Sequence, residues 1–260
     1  MSFYPDKHHP VYFLVDSLNA IGVNTEFAKD ERTLGCWGMV FPDYDNRILV
    51  YLIDNRHVHE AAKEDPAAKE LLAQGAIAAH AQRPDYERIG GHWLPLAASP
   101  FFSPVNVAKT ATAAFVGYVR DEGRARLLSD IGSRFRLNIA QGVFGKQAVE
   151  TYCSALCGVN IVTRSGDPTS YDSWNMRAPE IMACGIPLIT EYQPYLNDLG
   201  LIAGHNVLLY RDSDSLLECL EFVEKNPEVA AEIGRAGREL ILERHTYKHR
   251  AERIKQWLSA

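Results

Sequence analysis

Three things are scarce in this 260-residue chain. There is no long apolar run: nothing approaches the length of a bilayer span, so a membrane-spanning helix is not expected. Positive charge is not in excess, with 27 basic against 33 acidic residues and a net charge of -6, so no global basic field marks a nucleic-acid binder. Cysteine is sparse, with five residues in scattered positions, which excludes a disulfide scaffold. Cys153 and Cys157 are four apart and would share a helix face, but no second Cys/His pair stands nearby. Buried free thiols are expected there rather than zinc. Internal repeats and low-complexity tracts are absent too. The opening "MSFYPDKHHP" lacks a charged-then-apolar export signal, and a cytoplasmic protein is the expectation.

What is present is 47% hydrophobic residues, enough for one large core or two small ones. Apolar strand-like runs alternate with helical patterns, the signature of an α/β fold with parallel sheets. Val11, Leu14, Val15, Leu18 and Ile21 recur at helical spacing before Gly22. "RILVYLIDN" reads as a fully buried parallel strand, "DPAAKELLAQG" as a short helix and "AIAAHAQ" as another strand. "GGHWLPLAASPFFSP", with three prolines and two glycines, reads as a linker. The pattern then restarts: strand "ATAAFVGYV", helix "EGRARLLSDIGSRF", strand "RLNIAQG", helix "GKQAVETYCSALCG", strand "VNIVTR", helix "MRAPEIMACG", strands "IPLIT" and "NVLLY", and closing helices. Two Rossmann-like domains facing a cleft are expected, a short one over 1–105 and a second over 106–260, with the last helix packing back on the first.

Ligands of open α/β sheets bind at the carboxyl ends of strands. Gly117 and Tyr118 end the first strand of the second half. A glycine there lets backbone N–H groups approach a phosphate, with charge from Arg120 or Arg124; the same turn also suits an ordinary strand-to-helix connection. Arg177 and Glu180 lie in the first turns of a helix whose end presents free N–H groups. That suits a diphosphate on Arg177 and a ribose diol on Glu180, although the spacing equally fits an i,i+3 salt bridge. His57 follows a strand end, where it would act as a general base oriented by Asp54 or stand as a surface histidine. His245, Lys248, His249 and Arg250 would form an anion or nucleic-acid patch, or with Glu243 and Glu252 an ordinary solvated face.

The order Asn175, Arg177, Glu180, Gly185, Pro187 in "NMRAPEIMACGIPLIT" resembles the donor-binding segment of family-4-like glycosyltransferases of the GT-B fold. The CgeB-like branch, "glycosyl transferases group 1", is the nearest in pattern. The closing stretch with "HTYKHRAERI", the segment "AAFVGYVRDEGRARLLSDI" and the interdomain "HWLPLAASPFFSP" are similar to the same family. The resemblance covers most of 48–258 and is most specific in the C-terminal half. It implies a glycosyltransferase, a hexosyltransferase by preference, that is metal-independent and needs no cofactor. Its donor would be a nucleotide sugar of the UDP-linked type. Glu180 would hold the ribose, Arg177 the diphosphate, with Gly117, Tyr118, Arg120, Asn175 and Lys146 beside the phosphates. Asp172 stands at the first of two acid positions with seven residues between them, as an aspartate where glutamate is usual. The first half is short for this fold, so the acceptor side would be reduced, completed by another chain or built for a large acceptor. Two alternatives accompany this reading: a phage-type DNA-base glycosyltransferase, and a non-catalytic nucleotide-sugar-binding partner subunit.

Overall fold

The computed structural model describes residues 10–27, 36–52, 73–83, 86–87, 90–119, 121–162 and 173–260. The chain divides into two compact units. One comprises Met1–Leu96 together with Tyr247–Ala260; the other is Ala97–Thr246.

In the first unit, helix α1 (Pro10–Ala20) buries Val11, Leu14 and Leu18, as the 3.6-residue spacing requires. Strands β1 (Glu26–Phe27), β2 (Cys36–Phe41), β3 (Arg47–Leu52), β4 (Ile77–His80) and β5 (His92–Trp93) form one sheet in chain order. This sheet is mixed. β3 is parallel to β4 but antiparallel to β2, because Pro42–Tyr44 and the left-handed Asp45 and Asn46 turn the chain back directly. The expected all-parallel arrangement therefore holds on one side of β3 only. The expected helix over 65–75 lies almost wholly outside the described residues.

The segment read as a linker contains the division between the two units, at Leu96 and Ala97, but it is not without structure. It supplies β5, and Leu94, Leu96, Ala97 and Ala98 after it are 0–4% exposed. Apolar burial outweighs the proline and glycine content there. Tyr51 donates its hydroxyl to the Leu94 carbonyl at 2.9 Å. The last helix, α7 (Tyr247–Ser259), packs on α1. Its Arg250 is 6% exposed and donates to the carbonyls of Pro95 at 2.6 Å and Leu96 at 3.3 Å.

The second unit has an all-parallel sheet of β6 (Ala111–Val116), β7 (Leu137–Ala140), β8 (Ala155–Asn160), β9 (Leu188–Glu191) and β10 (Leu208–Tyr210), in the order β10-β9-β8-β6-β7. Helices α2 (Glu122–Arg134), α3 (Lys146–Cys153), α4 (Arg177–Ala183), α5 (Ser213–Lys225) and α6 (Pro227–Arg244) connect and follow these strands. Phe115, Ile131, Val159, Ile189, Leu220 and Ile233 are central to its core. The helix expected over 145–158 stops early. Lys109 Nζ takes the carbonyls of Cys153 at 2.9 Å and Ala155 at 2.7 Å, so the chain enters β8 at Ala155. Gly158 belongs to this strand for a packing reason: a Cβ there would lie 2.6 Å from Ile181 of α4. Cys153 and Cys157 thus fall on a helix and a strand, both buried as free thiols. No helix among the described residues is long and apolar enough to cross a membrane.

Candidate active site at the carboxyl ends of β6 and β8

β6 connects through α2 to β7 on one side, whereas β8 connects through α4 to β9 on the other. With right-handed crossovers the two chains leave the sheet on opposite faces, and a crevice opens between their ends. The residues expected to bind a donor converge there.

Gly117 follows β6 with φ of 150°. A Cβ at this position would meet Arg177 Nη1 at 2.9 Å and the Phe115 ring at 3.2 Å. The glycine is therefore required by its backbone conformation and by the close approach of the arginine. Its own N–H donates to the Ala140 carbonyl at 2.9 Å, so it does not face a ligand as the sequence suggested. The N–H of Val119 is likewise taken, by Gln141 Oε1 at 2.9 Å.

Asn160, the last residue of β8, is the hub of the site and is wholly buried. Its Oδ1 accepts from Arg177 Nε and from Asn175 Nδ2, each at 3.0 Å. Its Nδ2 donates to the Ser173 carbonyl at 2.7 Å and to Thr190 Oγ1 at 3.0 Å. A single carboxamide so joins β8, β9 and the approach to α4. Asn175 accepts the Arg177 N–H on its Oδ1 at 3.0 Å. One end of the Asn175 side chain thus holds the Arg177 N–H and the other holds Asn160, and the first N–H of α4 is satisfied from within the protein.

Arg177 is half-buried, with Nη2 donating to the Ile161 carbonyl at 3.2 Å and its guanidinium 5.3 Å above the Phe115 ring. Arg124 approaches the same place from α2. It is 6% exposed, donates Nε to the Ile161 carbonyl at 3.2 Å and Nη1 to the Tyr118 carbonyl at 2.6 Å, and lies 5.6 Å from the Phe115 ring. Two permanent cations meet on one carbonyl, an arrangement suited to an anionic ligand.

Glu180 stands one turn along α4 from Arg177. Burial of its carboxyl raises its pKa from 4.5 to about 8, against the lowering pull of Arg177. The wholly buried Tyr152 of α3 has its pKa raised by burial and then by the Glu180 charge.

Of the expected site residues, Gly117, Tyr118, Asn175, Arg177 and Glu180 are gathered here. Tyr118 is 36% exposed, and its hydroxyl lies over Gly142. The Lys146 side chain, at the start of α3, is 88% exposed and pairs with Glu150 at 3.6 Å. Asp54, His57, Arg120 and Asp172 lie outside the described residues. Among the described residues, no three His, Cys, Asp or Glu side chains are grouped to hold a metal ion. Of the two readings of the basic residues near the C-terminus, a patch or a solvated face, the solvated face holds for Lys248, while His245 and Arg250 belong to neither. His245 is 6% exposed, with Nε2 2.8 Å from the Leu199 carbonyl, and Arg250 is buried in the first unit. Lys248 forms an exposed pair with Glu252 at 3.9 Å. Asn160 escaped the sequence reading; its only signal was a carboxamide closing an apolar strand.

Residues 108–256 match the family model described as "Glycosyl transferase-like". The chain belongs to this family. The match spans every residue of the crevice, and it fits the expected group 1 glycosyltransferase of the GT-B type. Among solved structures the fold is similar to HepE from Anabaena in complex with UDP and glucose, with TM-score 0.58 and 13% identity over 81% of this chain and 70% of that one. It is also similar to sucrose-phosphate synthase from Thermosynechococcus elongatus, with TM-score 0.53 and 16% identity over 76% of this chain. The chain spans 62% of the length of that synthase. At these identities the likeness is one of fold. No curated protein sequence matches this chain.

Proposed function

We infer that this glycosyl transferase-like chain moves a sugar, a hexose by preference, from a nucleotide-sugar donor of the UDP type to a hydroxyl acceptor. The observation that carries the reading is Arg177. It is clamped by Asn160 and Ile161 at the crevice of a parallel sheet, against a glycine that leaves room for it. The family match and the fold shared with a UDP-bound protein support the same donor class.

In this reading the donor diphosphate lies against Arg177, and the ribose diol donates to Glu180. As the bond between the sugar's anomeric carbon and the phosphate oxygen breaks, the nucleoside diphosphate leaves with the electron pair. Arg177 stabilises the charge that develops on it. The acceptor oxygen forms the new bond to the anomeric carbon and loses its proton; in an inverting reaction His57, oriented by Asp54, takes it. Asp172 contacts the sugar. The arginine countercharge is the basis for expecting turnover in the presence of a chelator. The test is donor hydrolysis and transfer over a nucleotide-sugar panel. Activity that survives intact in both Arg177→Ala and Glu180→Ala removes the site assignment.

A further inference from the structure

Arg124 has no part in the reading above, yet its placement is specific. Asp121 caps α2 by accepting the Arg124 N–H at 3.0 Å, which fixes the start of the helix. From the third helical position the side chain reaches back to the strand ends. There it ties the Tyr118 carbonyl after β6 to the Ile161 carbonyl after β8. These are the two connections that diverge at the crevice. Both the Ile161 carbonyl and the Phe115 ring are shared with Arg177.

We propose that Arg124 is a positioning residue of the donor site: it holds the Gly117–Tyr118 turn to the end of β8 and, through the shared Ile161 carbonyl and Phe115 ring, fixes the aim of Arg177 at the donor diphosphate. Only a guanidinium can do this. Its fork spans two carbonyls, its planar face covers a ring, and its charge stays on at every working pH. The proposal rests on the donor reading, and the test separates the two.

The experiment is a double-mutant cycle between Arg124→Met and Arg177→Met, read by calorimetric titration with UDP and, independently of the nucleobase, with inorganic pyrophosphate. Arg124→Met alone is expected to weaken both by about tenfold, the scale of coupling carried by a contact network. Uridine, which lacks the phosphates, should bind as before. The double variant should bind within about twofold of Arg177→Met alone, because a residue that acts through Arg177 has nothing left to act on. Arg124→Lys serves as the milder variant. It keeps the charge but not the two-carbonyl bridge, so it should fail to restore affinity. Additive losses, an equal loss for uridine, or full rescue by lysine would overturn the proposal while leaving the donor reading standing. Wild-type protein that binds neither UDP nor pyrophosphate would overturn both.

Discussion

Replacing Glu180 with glutamine should make the protein more stable and less able to bind donor, and the gain in stability should depend on pH. In the folded chain the carboxyl titrates near 8, against 4.5 when unperturbed. Because the folded pKa is the higher one, the folded state binds the proton more tightly. Below pH 4.5 the carboxyl is neutral in both states and carries no penalty. Between pH 4.5 and 8 the unfolded chain ionises while the folded one does not, and stability falls by about 1.4 kcal/mol per pH unit. The ceiling of this loss is about 5 kcal/mol, reached above pH 8, and solvent reaching the half-buried residue lowers it to about 2–3 kcal/mol. Glutamine has nearly the same shape and does not titrate. The Glu180→Gln variant should therefore match the parent near pH 4.5 and melt several degrees higher at pH 8.5, given about 2–4 °C per kcal/mol for a chain of this size. The assay is a set of paired melts from pH 4.5 to 8.5, with UDP titrations alongside. A difference in melting temperature that stays constant across this range, or a parent more stable than the variant at pH 8.5, would refute the argument.

Donor affinity should itself rise with pH through about 8, because an ionised Glu180 accepts both hydroxyls of a diol; calorimetry at pH 6 and pH 9 checks the direction. Gly117→Ala forces a φ of 150° on a residue with a Cβ and displaces Arg177. It should cost about 1–3 kcal/mol in urea unfolding and abolish detectable UDP binding. Asn160→Ala leaves four hydrogen-bonding groups without their partner and should destabilise by about 2–4 kcal/mol, measured in the same way. Lys146→Ala removes only an exposed pair with Glu150 and should change stability by less than about 0.5 kcal/mol and UDP affinity by less than twofold.

The second unit was legible in the sequence because its strands are short, mostly apolar stretches that alternate with helical patterns. The exception was the passage from α3 to β8. There "CSALCG" satisfies either period, and tertiary bonds from Lys109 decide where the helix ends. The first unit was less legible. A hairpin between β2 and β3 rests on two left-handed residues, Asp45 and Asn46, while the apolar run of β3 reads the same beside parallel or antiparallel neighbours. The linker holds the unit boundary, but its strand and its burial went unread, because proline and glycine count as turn signals even when Leu94 and Leu96 between them are buried. In the site, Arg177 and Glu180 were visible from spacing and motif. Arg124 was visible only as a charge for a phosphate beside Gly117, and Asn160 not at all, since what singles both out is bonding to residues distant in the chain. The reason for Gly117 also changed, from a backbone donor for phosphate to the space that Arg177 occupies.

Everything proposed for the donor rests on Arg177, the first residue of α4, holding the diphosphate of a nucleotide sugar. The most direct test is the rate of donor turnover over a panel of nucleotide sugars by the parent protein and by Arg177→Ala, with circular dichroism to show that both are folded. Turnover of a UDP-linked sugar is expected from the parent, with a loss of about a hundredfold or more in kcat/KM for the variant. A folded Arg177→Ala protein with the parent's kcat/KM would contradict that role of Arg177.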